Sequence, residues 1–401
     1  GGETPDALHL LALIKRKSGH PATAVEHLNK SLEDRSDSSE LLALLASAYR
    51  RDGRLMEAIG AFEKAVALDP DQADYLYNFG NALREVGRLE EAAKNFQKAV
   101  ALDPGFTDAR FNLGIVLQLL DRQDEAAECF ADLIAANPSD TEAHWKLGVA
   151  LVSLGRPADA VPIYNKALAL DPNNGEIYVS LGGALQNLGK LDKAAGSFRQ
   201  ALSIDPNCVS AHNNLGRTLR EMGKMDEAIA SFHKVLAINP DLTGAGKNIL
   251  FALLNVPGIT AEDLFAEHIC FAENHTQDIV RPAEGFPIDP DPDRRLRIGY
   301  LSSNLGDHPV GRNVLPLISS HDRKTFEIFC YADGRNPDAM TERFQACVDH
   351  WRPIIGKTDA DVAAMVRTDE IDILVCLAGR FNDNRPLVCA YRAAPVQVSY
   401  H

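Results

Sequence analysis

DQADYLYNFGNALREVGRLEEAAKNFQKAVALDP, residues 71–104, is one period of a rhythm that governs the first 240 residues. Its apolar positions follow a helical spacing twice over, predicting one helix over Ala73–Val86 and a second over Glu90–Leu102. Gly87 separates them, because glycine takes the left-handed conformation that ends a helix at little cost. Pro104 stops the second helix: it has no N–H to donate and its ring clashes with the preceding turn.

Asp69-Pro70, Asp103-Pro104, Asn137-Pro138, Asp171-Pro172, Asp205-Pro206 and Asn239-Pro240 recur every 34 residues, the period of tetratricopeptide repeats. Seven units follow: 3–36, 37–70, 71–104, 105–138, 139–172, 173–206 and 207–240, the first degenerate with Ser36 in place of proline. Gly53, Gly155, Gly189 and Gly223 repeat the break of Gly87, and Asp121 replaces it once. The tenth position is always small (Ala12, Ala46, Gly80, Gly114, Gly148, Gly182, Gly216), and so is the twenty-second (Ala24 to Ala228). A large side chain lies four residues after the latter: Leu28, Phe62, Phe96, Phe130, Tyr164, Phe198, Phe232. Small residues let paired helices approach, large ones fill the groove, and stacking completes a core that no unit builds alone. This stripe reads as packing, not as a cofactor box. The expected architecture is a right-handed superhelix of helix pairs.

The first helices would line its concave face. Two positions before the small residue stand Asn78, Asn112 and Asn214, with Leu44, Lys146 and Ser180 at the equivalent places. An amide both donates and accepts, so such a column can hold an extended peptide backbone; equally, asparagine suits an exposed helical position.

Composition bounds the function. The chain has 401 residues and a net charge of −15, shared between 1–240 (−8) and 241–401 (−7). Without a basic stripe, nucleic acid is a poor partner, since phosphate contacts need lysine and arginine. No run of about 18 apolar residues occurs, so no membrane span is expected, and no secretory leader opens the chain. It starts Gly1-Gly2, without Met, and reads as continuing beyond both ends. Seven scattered cysteines with no CxxC pair read as reduced thiols of a cytoplasmic protein, with neither a disulfide framework nor a zinc site.

The rhythm stops at Pro240. Residues 241–295 read as transitional helices (Asn248–Leu254, Glu262–His275) and a linker with Pro282, Pro287, Pro290 and Pro292. From Leu296 short apolar strands alternate with helices. Strands are expected over Leu296–Leu301, Phe326–Tyr331, Trp351–Ile355, Ile371–Leu377 and Val396–Ser399. Helices are expected over Asn313–Ser319, Pro337–Val348, Asp359–Thr368 and Arg385–Arg392. That alternation means a parallel, doubly wound sheet over 296–401, incomplete for a domain of this type. Such sheets bind ligands beyond the carboxyl ends of their strands. The loop after the first strand, Ser302-Ser303-Asn304-Leu305-Gly306-Asp307-His308-Pro309, offers His308 as a general base or hydrogen-bond donor, or simply as a turn histidine. The loop after the fourth is Ala378-Gly379-Arg380-Phe381-Asn382.

Repeats followed by Arg-Ile-Gly-Tyr-Leu-Ser-Ser (297–303) and the Asp-His-Pro turn (307–309) resemble the O-GlcNAc transferase and SPINDLY family. So do 326–332 (Phe-Glu-Ile-Phe-Cys-Tyr-Ala), 349–352 (Asp-His-Trp-Arg), 371–375 and 394–398. The resemblance implies an α-solenoid, the tetratricopeptide superhelix, followed by part of the α/β Rossmann-like N-terminal lobe of a two-lobed, GT-B type glycosyltransferase. It implies transfer of a sugar from a nucleotide donor, UDP-N-acetylglucosamine or another nucleotide-sugar, to Ser or Thr of proteins, with no metal. It places the family's active-site histidine on His308 and a second on His350, which by itself reads as a helix-end histidine. It gives Asn78, Asn112 and Asn214 the role of holding the acceptor peptide. The bacterial Gly-His-Thr after the fourth strand is Gly379-Arg380-Phe381 here, and the family's donor-binding lobe has no counterpart in 1–401. Residues 1–401 alone are therefore expected not to transfer sugar. A non-catalytic repeat scaffold is the alternative.

Overall fold

The computed structural model describes residues 21–34, 37–277, 279, 286, 291, 293–334, 336–377 and 385–400. They fall into two compact units, 1–206 and 207–401. The first half of the opening repeat, with Ala12, lies outside the described residues.

The first unit is helical throughout its described residues. After α1 (Pro21–Asp34) come five pairs: α2 (Ser39–Arg51) with α3 (Leu55–Leu68), α4 (Ala73–Glu85) with α5 (Leu89–Leu102), α6 (Thr107–Leu119) with α7 (Gln123–Ala136), α8 (Thr141–Ser153) with α9 (Pro157–Leu170), and α10 (Gly175–Asn187) with α11 (Leu191–Ile204). Each helix packs on the next, and first helices of neighbouring pairs touch: α2 with α4, α4 with α6, α8 with α10. The turn glycines take the expected left-handed conformation, for example φ 79° at Gly87, and Asp121 does the same at φ 60°.

The small-to-large pairing holds atom by atom. A Cβ built on Gly148 would stand 2.4 Å from the Tyr164 ring, and one on Gly182 2.5 Å from the Phe198 ring. Phe62, Phe96, Phe130 and Phe198 are fully buried, each contributing roughly 1.5–3 kcal/mol. Exposed pairs such as Arg88–Glu91 are screened by solvent and add little. Ring burial, not charge, holds the array together.

The second unit opens with two more pairs. These are α12 (Val209–Glu221) with α13 (Met225–Ile238), then α14 (Thr243–Leu253) with α15 (Ala261–Thr276). α14 starts five residues before the Asn248 expected from sequence. Thr243 is the third position of the next 34-residue unit, where Ala73, Thr107 and Thr141 also start helices, so the repeat register outlasts the proline rhythm by one helix. α14 packs on α13 and touches α12. The turn then lengthens through Gly258 (φ 83°), and the Thr260–Asp263 capping box starts α15.

The sheet is all parallel, in the order β3 (His350–Pro353), β2 (Phe326–Ala332), β1 (Leu296–Ser302), β4 (Ile373–Leu377), β5 (Val396–Tyr400). β1 is central, and the chain moves first to one side of it and then to the other. α16 (Pro309–Ser319) and α17 (Ala339–Ala346) cover one face with Val314, Ile318 and Phe344. α18 (Asp359–Thr368) covers the other with Val362 and Val366. The expected helix over Arg385–Arg392 is a 3-10 segment, Pro386–Tyr391, ended by Arg392 at φ 49°. α17 is shorter than expected, because Asp338, not Pro337, caps it.

Candidate active site

The loop after β1 is fixed from three directions. Ser302 Oγ accepts from Asn304 N (3.0 Å), and Ser302 O accepts from Asp333 N beyond β2 (3.1 Å). Asp338, the N-cap of α17, accepts from Asp307 N with one oxygen (2.7 Å) and from Thr341 N with the other (2.8 Å). Thr341, itself buried, donates its hydroxyl to Leu305 O (3.2 Å). Those backbone donors, Asp307 N first, hold the Asp338 carboxyl below its ordinary range. From the third side α16 presses its first turn onto the loop: a Cβ on Gly311 would meet Gly306 O at 2.2 Å and Asn304 O at 3.0 Å. No side chain fits between that helix and that loop.

His308 is the N-cap of α16, extended at φ −134° and ψ 152°. Its Nδ1 accepts from Val310 N (3.2 Å). In a neutral ring that bond places the proton on Nε2. The free nitrogen is then a donor rather than a base. His308 lines a cleft of about 220 Å³ with Ser303, Asn304, Asp307, Asn336, Asp338 and Trp351. The cleft opens at the carboxyl edge of the sheet, where strand order predicts a ligand. Asp307 carries an ion pair to Arg312 (2.7 Å).

His350 stands elsewhere. It opens edge strand β3 opposite Phe329, in the middle of β2. Its ring stacks on Phe329 (4.2 Å between centroids), and its Nε2 donates to Glu327 Oε1 (2.8 Å). Trp351, the next residue, lines the cleft. Successive strand residues point to opposite faces, so the structure does not bring His350 to His308. Burial works against the Glu327 carboxylate, but hydrogen bonds from His350 and Arg297 bring it below its ordinary value.

The three asparagines differ in how much of the amide is already used. Asn78 Nδ2 donates to Asp74 O of its own helix (2.8 Å). Asn112 accepts from Arg84 Nη1 (3.1 Å) and donates to Tyr77 Oη (3.3 Å) and Asn81 Oδ1 (3.1 Å), so both its N–H groups are engaged within the array. Asn214 has no side-chain hydrogen bond among the described residues. Asn248, at the same repeat position one unit later, accepts from Arg220 Nη1 (3.2 Å), as Asn112 does from Arg84. Sequence reasoning missed Asn248 because it looked for no repeat past Pro240; the 34-residue offset from Asn214 was the available signal. Asp338 and Thr341 were also missed, although an aspartate just ahead of a helical stretch is a helix-start residue.

Loop 378–384, with Arg380 and Phe381, lies outside the described residues. Arg385 just after it is largely buried and donates to Asp333 (2.6 Å), Asp359 (3.2 Å) and Lys357 O (2.6 Å), tying together the ends of β2, β3 and the 3-10 segment. Among the described residues, no group of three or more His, Cys, Asp or Glu side chains could hold a metal ion, and no helix is long and apolar enough to cross a membrane.

Comparison with known proteins adds a chemical context. Residues 260–401 match the family described as glycosyl transferase family 41, a match that begins at α15. Residues 46–85 and 80–121 match TPR repeats, and 120–175, 151–215 and 209–242 match tetratricopeptide repeat families. The chain is 34% identical over 108 residues (27% of this chain, 11% of the relative) to Probable UDP-N-acetylglucosamine–peptide N-acetylglucosaminyltransferase SEC of Arabidopsis thaliana. It is 32% identical over 142 residues (33% and 12%) to UDP-N-acetylglucosamine–peptide N-acetylglucosaminyltransferase of Caenorhabditis elegans. The solved structure of a mutant O-GlcNAc transferase from Thermobaculum terrenum superposes with a TM-score of 0.55 at 33% identity, over 65% of this chain and 50% of that one. The matched stretches span about a tenth of the two curated relatives. The chain is thus similar to the O-GlcNAc transferase and SPINDLY proteins, and the expected combination of repeats with a glycosyltransferase lobe stands.

Proposed function

We propose that this chain, family 41-like over residues 260–401, is the acceptor-recruiting array and first lobe of a cytoplasmic protein O-glycosyltransferase. The observation that carries this reading is the His308 loop: a rigid, polar cleft at the carboxyl edge of a parallel sheet, within the family 41 match. The donor by analogy with the named relatives is UDP-N-acetylglucosamine, and the acceptor is a Ser or Thr hydroxyl of a protein. In the transfer, the hydroxyl oxygen bonds to the sugar's anomeric carbon, the bond from that carbon to the diphosphate breaks, and the hydroxyl proton is released. Nε2–H of His308 suits hydrogen bonding to an oxygen of the reacting pair, which rewards position more than basicity.

Substrate protein would be held along the first helices. Asn214, with its amide unused, and Asn78, with one N–H committed, are the better clamps; Asn112 contributes mostly to the array itself. Each amide-to-backbone bond adds about 0.5–1.5 kcal/mol net.

The test uses the natural protein containing this chain, labelled UDP-N-acetylglucosamine and a protein acceptor. His308→Asn keeps a side-chain oxygen to cap Val310 N but removes the imidazole. Label transfer should fall by roughly 10²-fold or more while the melting curve stays in place. A near wild-type rate in that variant would overturn the role of His308. No label transfer by the unaltered protein, with any of several nucleotide-sugars, would overturn the function.

A further inference from the structure

Cys376 and Cys389 are brought together by the fold, with their sulfurs 3.0 Å apart. That is about 1 Å more than an S–S bond. All seven cysteines are free thiols. Both positions are held by backbone. Cys376 lies in β4 in register with Leu301 of β1 and Ser399 of β5, so hydrogen-bonded strands flank it on both sides. Cys389 lies in the 3-10 segment, and its carbonyl accepts from Gln397 Nε2 (3.0 Å) and Arg392 N (3.1 Å). Val388 beside it is fully buried. The pair is therefore a fixed feature of the lobe, not a chance approach of two loose side chains.

The two thiols differ in access and in chemistry. Cys376 is 5% exposed, whereas Cys389 is only half-buried. The contact between the two sulfurs holds the Cys389 thiol below its ordinary value; the same contact, with burial, pushes the Cys376 thiol up. A half-exposed thiol of lowered pKa next to a buried one is the arrangement of an attacking and a resolving cysteine.

We propose that Cys376 and Cys389 form a reversible dithiol–disulfide site on the α/β lobe whose oxidant is a small disulfide of the glutathione class. Cys389 gives up its proton to water and attacks one sulfur of the small disulfide; its S–S bond breaks, a mixed disulfide forms, and one thiolate leaves. Cys376 then gives up its proton to that leaving thiolate and attacks the Cys389 sulfur, displacing the second small thiolate, which takes a proton from water. Two protein thiols are oxidised by two electrons, and one small disulfide is reduced to two thiols. Closing the bond moves the sulfurs by about 1 Å, within reach of side-chain rotation. The product ties the carboxyl end of β4 to the 3-10 segment. Leu301, the β1 partner of Cys376, immediately precedes Ser302, which anchors the His308 loop. Disulfides of this kind in reducing compartments are transient and regulatory, so the site would report redox state one strand away from the candidate cleft.

The experiment is peptide mapping of the full chain equilibrated in glutathione buffers stepped from reduced to oxidised, acid-quenched and alkylated. Tryptic peptides 368–380 and 381–392 carry one of these cysteines each. The expected result is a linked pair of these peptides at the oxidising end, reverting to two alkylated thiols when the buffer is returned to the reduced end. Cys376→Ser should leave Cys389 as a persistent mixed disulfide with glutathione. If Cys389 of the unaltered chain stops at the mixed disulfide, or the two cysteines are oxidised no more than the other five, the proposal is overturned. The mapping of the unaltered chain decides this even where the variant fails to fold.

Discussion

Single atoms decide two outcomes at the residue scale. Gly311→Ala puts a methyl group 2.2 Å from a backbone oxygen, and backbone cannot rotate aside. The α/β lobe should lose about 1–3 kcal/mol in denaturant unfolding. Gly183→Ala is the control, since a Cβ there meets nothing within 4 Å; inside a helix the change should stabilise by up to about 1 kcal/mol. Equal effects from the two would mean that the close approach of α16 to the His308 loop is not real. The second outcome concerns asparagines that a sequence treats as equivalents. Asn112→Ala breaks bonds to Arg84, Tyr77 and Asn81 and should cost roughly 1 kcal/mol of array stability. Asn214→Ala should leave stability unchanged and weaken only the binding of an acceptor protein. Unfolding curves and binding titrations on the two variants separate these roles, and a stability loss at Asn214 would contradict them.

At the scale of elements, the sheet and the repeats should answer acid differently. Asp349, Asp369 and Asp372 sit at the amino ends of strands or the ends of their helices, each facing arginine. Burial opposes their ionisation. Even so, Ile328 N with Arg323 and Arg295, Arg352 with Tyr331, and Arg294 with Arg297 N bring them, respectively, below the ordinary aspartate value. A depressed carboxylate contributes stability that is fully present above its unfolded value, about 3.9, and is lost as pH falls through the folded one. Thermal midpoints of the lobe should therefore be level from neutral pH to about 5 and drop below about 4. The repeats rest on buried rings and exposed ion pairs, so their midpoint should move less. Trp351 fluorescence in a Trp145→Phe background, against far-UV helix signals, resolves the two, and a lobe midpoint unmoved by acid would show that these bonds contribute nothing.

The whole molecule is modular in one half and not in the other. Within the first unit each repeat touches its neighbours and leaves the same junction behind it. Deleting residues 139–172 joins Pro138 to Asn173, equivalent to the join at 172–173, and should yield a folded protein with proportionally less helix by circular dichroism. The same excision in the lobe is not available: β1 pairs with both β2 and β4, so removing one crossover removes a neighbour of the central strand. A deletion of 139–172 that unfolds the chain would show that the array is not a sum of neighbouring contacts.

The sequence by itself determined the array, because its determinants are local: the Gly87-type breaks, the Pro104-type stops, and the rings that fall on small residues sixteen positions earlier all act within one unit. It determined the alternation of strands and helices in 296–401 and put His308 at a strand's carboxyl end for the same reason. It carried the register as far as Asn248, unread, because proline had served as the only ruler. Contacts between residues far apart in sequence were decided only in three dimensions. Asp338 and Thr341 reach back over thirty residues to Asp307 and Leu305; the strand pleat turns His350 away while Trp351 lines the cleft; a backbone N–H sets the His308 proton on Nε2. Cys376 and Cys389, with no spacing to mark them, meet because the fold sets the 3-10 segment beside strand β4.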